Sequence, residues 1–195
     1  MDERFIDDYL QLLKKENNPL KKALILTAII TEMLRKKKVM PILVGGRALE
    51  FYTLGGYATK DIDLVINDRE SAKEVLAKLG FTKRPGERHW YNEEIDLAIE
   101  IPDEELAGSL EKIIKVEIDD LEVNVIGIED LIIDRLLAAK FWQSVDDEEW
   151  ATKILAIHYQ RIDFNYLKET AIKNQVNDYL DKIINESRKI LDKLT

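Results

Sequence analysis

The chain has 195 residues, no cysteine and a formal net charge of −9, with a pI near 4.9. Without cysteine it can form neither disulfides nor thiolate metal sites, a composition that fits a cytoplasmic protein. The negative charge argues against tight binding to generic duplex DNA. No apolar run is long enough for a membrane span.

The first third of the chain is predicted to be helical. In the first segment, apolar side chains share one face (Phe5, Ile6, Tyr9, Leu10, Leu12 and Leu13). Asn18 and Pro19 are typical of the start of a second helix. After Pro41 the pattern predicts a buried strand over 42–44, a helix from Arg47 to about Leu54, and a strand over 61–66.

Residues 81–126 alternate between apolar and polar positions in short runs, which indicates strands. Residues 94–100 alternate clearly, and 115–126 read as a hairpin that turns at Asp119 and Asp120. From Gly127 onward the pattern predicts about four helices. We therefore expect an α/β (α+β) fold with two domains: a mixed sheet core with N-terminal helices (1–127) and a C-terminal helical bundle (128–195).

Asp61 and Asp63 are acidic residues within an apolar strand. Side chains alternate along a strand, so both carboxylates lie on one face, about 6–7 Å apart, while Ile62 and Leu64 lie on the other. This spacing suits one hard cation, or two ions close together. The alternative, which an isolated Asp-x-Asp favours, is a pair of exposed acids on a half-buried strand.

Gly45 and Gly46 separate the buried strand from the following helix. Glycine allows the backbone to approach a ligand closely, and the start of a helix offers N–H groups to phosphate. Arg47 is a further candidate for the phosphate, and so are Thr59 and Lys60, which adjoin the acids. The alternatives are a tight turn at the glycines and capping of the strand. Neither of the two familiar glycine-rich phosphate loops is present.

Asp96 is a third acid among aliphatic residues. If its strand pairs beside residues 61–66, three carboxylates meet on one part of the sheet. Two of them could then hold magnesium, while the third acts as a base toward a hydroxyl.

Taken together, these motifs resemble the nucleotidyltransferase superfamily, which has the polymerase-beta-like fold. The matching pieces are Val44-Gly45-Gly46, Asp61-Ile62-Asp63 and Asp96. The stretches 58–64 and 128–132 look most like the small prokaryotic branch that includes the AbiEii-type toxins and MNT-like proteins.

The resemblance implies transfer of a nucleoside monophosphate from a nucleoside triphosphate, such as ATP, to a hydroxyl on RNA, protein or a small molecule. It implies Mg²⁺ or Mn²⁺ as cofactor, held by Asp61, Asp63 and Asp96. Two alternatives stay open: an inactive module of the same fold in a toxin–antitoxin-like pair, and hydrolysis of a phosphoester with water as the nucleophile.

The helix predicted over 128–143 is apolar nearly all round, which indicates burial. It nevertheless carries Arg135 and Lys140, about 140° apart around the helix axis. A buried cation needs an anion, either a nearby acid or a ligand phosphate. We therefore treat both residues as candidate nucleotide ligands, with long stems reaching solvent as the alternative.

Overall fold

The computed structural model describes residues 3–193, with side chains from Asp8 onward. The side chains of Phe5 and Ile6 therefore lie outside the described residues. Within this range the helices are α1 (Glu3–Lys15), α2 (Pro19–Arg35), α3 (Gly45–Tyr52), α4 (Arg69–Lys78), α5 (Ile128–Phe141), α6 (Val145–Ile157), α7 (Phe164–Lys173) and α8 (Asn177–Asp192). The strands are β1 (Ile42–Val44), β2 (Asp61–Val65), β3 (His89–Asn92), β4 (Leu97–Glu100), β5 (Ile114–Ile118) and β6 (Leu121–Val125).

Four helices (α2, α4, α6 and α7) begin at a residue whose side chain accepts a hydrogen bond from one of the first N–H groups. Asn18 accepts a hydrogen bond from the Lys21 N–H (2.9 Å) before Pro19 opens α2, and Asp68 accepts one from the Ser71 N–H (2.9 Å) before α4. Such caps replace the hydrogen bonds that a helix start lacks. The start of α2 predicted from the sequence is thus confirmed.

The six strands form one mixed sheet in the order β3-β4-β2-β1-β6-β5. The parallel pairs are β1 with β6 and β2 with β4, whereas β1 with β2, β3 with β4, and β5 with β6 are antiparallel. The hairpin over 115–126 is confirmed as β5 and β6, with its turn residues Asp119 and Asp120 at positive φ. A mixed α/β fold is therefore confirmed.

The interior of the sheet region is formed by β1 and α2. All three residues of β1 are buried, and α2 is buried along most of its length and contacts β6, α3 and α4. The Tyr52 hydroxyl, at the end of α3, donates to the Ile126 carbonyl (2.7 Å). These contacts hold α3 and the end of β6 together beside α2.

The chain divides into two compact units. The first contains the residues up to Leu106 together with Ile113–Ile126, and the second contains Ala107–Lys112 with the residues from Gly127 on. In the second unit, α5 packs against α6, α7 and α8. The domain division at residue 127 predicted from the sequence stays a prediction.

Two buried acids at the start of α5 stabilise the second unit. Asp130 accepts hydrogen bonds from the Ser109 N–H (2.9 Å) and the Tyr166 hydroxyl (2.6 Å), and Glu129 accepts one from the Asp163 N–H (2.8 Å). Because each carboxylate has partners, its burial is compensated.

Within residues 3–193, every helix is too short or too polar to cross a membrane.

Candidate active site

Three carboxylates share one face of the sheet. In β2, Asp61 and Asp63 point to the same side because side chains alternate along a strand. The parallel neighbour β4 places Ala98 beside Asp61 and Glu100 beside Asp63. Glu100 therefore belongs to the same face, and only 12% of its side chain is exposed.

His89 connects two of these acids. It opens β3 directly across from Glu100, and its Nε2 lies 3.3 Å from Asp61 Oδ2 and 3.2 Å from Glu100 Oε2. One ligand atom from each of the three residues can be chosen so that all lie within 4.8 Å of one another. A protonated His89 would balance the carboxylate charge, and a neutral one could ligate a metal. Arg88 also reaches Glu100, with 2.5 Å between Nη2 and Oε1.

The prediction that Asp96 lies within a strand beside Asp61 is wrong. Residues 93–96 form the turn between β3 and β4, and Asp96 has a left-handed backbone (φ +50°). The Asn92 side chain holds this turn by accepting hydrogen bonds from the N–H groups of Glu94 and Ile95. The exposed Asp96 carboxylate accepts a hydrogen bond from the Tyr91 hydroxyl instead. Glu100 is the acid of β4 that lies beside Asp63, and a metal or base role for Asp96 stays a prediction.

Gly45 and Gly46 bring the start of α3 against Asp63. The Gly46 N–H donates to Asp63 Oδ2 at 3.3 Å. Gly45 has φ +60°, and a β-carbon there would overlap the Asp63 carboxylate and come within 3.0 Å of Asp63 Cβ. The helix α3 begins at Gly45, two residues before the start at Arg47 that was predicted from the sequence. Glycine is required at position 45 by both backbone conformation and space.

Thr59 orients Asp61. Its hydroxyl donates to Asp61 Oδ1 at 2.7 Å. Burial raises the pKa of the Asp61 carboxyl, but hydrogen bonds from Thr59, the Asp61 backbone and His89 lower it, and the net pKa lies below the usual value. Asp61 is thus held ionised at neutral pH. Lys60 is exposed immediately before β2, and its predicted contact with nucleotide stays a prediction.

Arg47 has a structural position in this region. Its side chain is 1% exposed, pairs with the buried Glu50, and donates from Nη2 to the Thr59 carbonyl at 2.9 Å. Arg47 therefore ties α3 to the segment that precedes β2. A contact between Arg47 and a phosphate stays a prediction.

Arg135 and Lys140 have acidic partners within the second unit. Arg135 pairs with Asp134 (2.5 Å) and Asp147 (2.8 Å). Lys140 Nζ lies 3.0 Å from Asp178 and 2.5 Å from the Gln175 carbonyl. Both cations therefore pair with nearby acids, and a nucleotide contact by either cation stays a prediction.

The donor set is suited to a hard divalent ion. Asp61, Asp63 and Glu100 offer carboxylate oxygens, which Mg²⁺ and Mn²⁺ prefer, and His89 adds an imidazole nitrogen that Mn²⁺ accepts. Asp61 is ionised at neutral pH, and Asp61, His89 and Glu100 bring ligand atoms within 4.8 Å of one another. The residues therefore fit a metal site.

Two residues of this cluster were not identified from the sequence. Glu100 and Asp96 occupy equivalent positions in the alternating pattern of residues 94–100. Which of the two acids lies beside Asp63 depends on how β4 pairs with β2, and that pairing depends on the turn at 93–96. His89 offered no local signal, because its role follows from lying across from Glu100 on the edge strand.

The fold is that of nucleotidyltransferase-like proteins. A crystal structure of an antigenic nucleotidyltransferase-like protein from Paracoccidioides brasiliensis matches with a TM-score of 0.59 and 16% identity, over 89% of this chain and 93% of that one. The solution structure of the antibiotic-resistance factor ANT(2'')-Ia matches with a TM-score of 0.54 and 14% identity, over 84% and 96% of the two chains.

The sequence itself places the chain in a family. Residues 21–190 match the family described as "Nucleotidyltransferase of unknown function (DUF6036)", and the chain belongs to that family. None of the curated proteins matches it in sequence. The superfamily inferred from the glycine pair and the Asp-x-Asp strand is thereby confirmed.

Proposed function

We propose that this protein transfers a nucleoside monophosphate from a nucleoside triphosphate to an acceptor hydroxyl, with Mg²⁺ or Mn²⁺ as cofactor. The observation that carries the proposal is the convergence of Asp61, Asp63 and Glu100 on one sheet face, beside the glycine start of α3. Family membership supports a nucleotide substrate.

We also propose a cytoplasmic location, and an AbiEii-type or MNT-like relationship on the basis of residues 58–64.

Asp61 and Asp63 would hold the metal, with His89 as a further ligand and Glu100 beside it. A divalent ion there supplies positive charge that stabilises the phosphate oxygens as they gain charge. Thr59 keeps Asp61 oriented through its hydroxyl. The start of α3 fixes Asp63 from the other side, so the acids are placed before substrate arrives.

In the reaction, the acceptor oxygen bonds to the α-phosphorus, and the bond from that phosphorus to the bridging oxygen breaks. Pyrophosphate leaves, and the acceptor proton passes to a carboxylate. We assign this base to Glu100, which takes the role predicted for Asp96. Such catalysis depends mainly on positioning and charge, so few residues are needed.

The test uses triphosphates labelled at the α-phosphate, with magnesium, a cell lysate as the source of acceptors, and purified protein. The proposal expects label in a new product together with released pyrophosphate. Asp61→Asn and Asp63→Asn should each reduce this transfer at least about a hundredfold without unfolding the protein. Hydrolysis to the free monophosphate would favour the hydrolase alternative, and no turnover would favour the inactive module.

A further inference from the structure

A cleft of about 360 Å³ opens in the first unit. Its lining residues come from α4, from the loop after α4 and from the edge of the sheet: Arg69, Lys73, Lys83, Arg84, Pro85, Gly86, Trp90 and Ile101. Four of these eight residues are cations and none is an acid, in a chain whose net charge is −9. The lining itself is basic, which suits an anionic ligand.

The cleft lies on the face of the sheet opposite to the acidic site. Within β3, His89 pairs with Glu100 and Trp90 pairs with Ile99. Because neighbouring side chains of a strand point to opposite faces, Trp90 points away from the face that carries His89 and Glu100. The cleft is therefore separate from the metal site.

The loop that carries Lys83 and Arg84 is fixed at its base. Thr82 and Tyr91 exchange two backbone hydrogen bonds, of 2.9 and 2.8 Å, and Gly86 provides a left-handed turn (φ +84°) at the far end. Lys83 Nζ lies 5.8 Å from the centre of the Trp90 ring, within the range of a cation–π contact. A cation and an aromatic ring are thus presented together.

Three of the four cations at this cleft pair with exposed acids. Lys73 pairs with Glu70, and their side chains are 49% and 79% exposed. Arg69 pairs with Glu104 at 3.1 Å, with both side chains more than 40% exposed, and Arg84 reaches Glu87 only at 4.0 Å. Among the described residues, no salt bridge involves Lys83. Exposed pairs of this kind contribute about 0–1 kcal/mol, so a phosphate can replace them readily.

We propose that this cleft binds a nucleotide unit, with its base against Trp90 and its phosphate among Lys83, Arg84 and the two cations of α4. Phosphate alone would not use the Trp90 and Ile101 surface, and the volume fits a small ligand rather than an ion. An aromatic platform beside cations is the arrangement that binds single-stranded nucleic acid. The nucleotide can be free or part of a strand, and binding here does not depend on nucleotidyl transfer.

The test follows the fluorescence of Trp90 in the full-length chain. The Trp142→Phe/Trp150→Phe variant keeps Trp90 as the one remaining tryptophan of three, and EDTA removes metal so that the acidic site does not contribute. Hexauridylate, uridine monophosphate and a glutamate hexapeptide are each titrated at low salt. The proposal expects quenching by the nucleotides. Tighter binding of the hexamer identifies a strand as the source, and equal binding identifies a free nucleotide.

Matched variants locate the site. Lys83→Glu should weaken hexauridylate binding about tenfold or more, because it removes a phosphate partner. Lys173→Glu, which makes the same charge change on an exposed residue of α7, should leave binding unchanged. With labelled hexauridylate, Trp90→Leu should lower affinity about fivefold to a hundredfold, while Trp90→Phe keeps most of it. Equal losses for Lys83→Glu and Lys173→Glu, no quenching, or equally tight binding of the glutamate peptide would overturn the proposal.

Discussion

Replacing Gly45 by alanine tests the close approach of α3 to Asp63. The backbone there has φ +60°, and the added β-carbon would overlap the Asp63 carboxylate. A left-handed conformation costs a residue with a β-carbon about 1–2 kcal/mol, and overpacking adds about 1–3 kcal/mol. We therefore expect Gly45→Ala to lower the free energy of unfolding by about 2–5 kcal/mol.

Gly55→Ala is the matched control for this change. Gly55 also has a left-handed backbone (φ +85°), but a β-carbon there meets nothing within 4 Å. Only the conformational cost of about 1–2 kcal/mol should remain. The difference between the two variants then measures the crowding against Asp63.

A double-mutant cycle identifies the crowding partner. In an Asp63→Ala background the carboxylate atoms are absent, so the cost of Gly45→Ala should fall toward that of Gly55→Ala. Urea unfolding followed by far-ultraviolet circular dichroism gives all the required free energies. Equal costs for Gly45→Ala with and without the Asp63 carboxylate would refute the reasoning.

Three further predictions concern other parts of the molecule. Glu100→Gln should reduce nucleotidyl transfer at least about tenfold in the labelled-triphosphate assay, while Asp96→Asn should keep nearly wild-type transfer. A larger loss of transfer in Asp96→Asn than in Glu100→Gln would restore Asp96 as the third acid. Arg47→Met should lower the free energy of unfolding by about 3–5 kcal/mol in urea, since it leaves Glu50 buried and unpaired; a loss below about 1 kcal/mol would contradict this role. Burial, together with the bond to Asp130, raises the pKa of Tyr166 to about 12, so the folded state keeps this proton at a pH where the unfolded chain loses it. The stability from this group is therefore complete below about pH 10 and declines as pH rises toward 12. Tyr166→Phe should remove that part of the alkaline decline in urea midpoints, and identical declines in both proteins would argue against it.

The sequence predicted the elements whose signals are local. Asn18 with Pro19 marked α2, and Asp119 with Asp120 marked the turn between β5 and β6, because capping and turn chemistry act within a few residues. Asp61 and Asp63 were placed on one face of β2 because alternation requires no knowledge of neighbouring strands.

The remaining features depend on contacts between distant residues. Choosing Glu100 over Asp96 required the register of β4 against β2 and the hydrogen bonds of the Asn92 side chain. The role of Arg47 required its burial beside Glu50. Such properties arise from tertiary packing, which one sequence pattern does not encode locally.

The most direct measurement of the central claim is anomalous diffraction from crystals grown with Mn²⁺ and a non-hydrolysable nucleoside triphosphate analogue. The account predicts a manganese peak about 2–2.5 Å from carboxylate oxygens of Asp61 and Asp63, with Glu100 beside it and the triphosphate bound to the ion. Manganese away from these acids, or an acidic site without triphosphate whatever occupies the Trp90 cleft, would contradict the account.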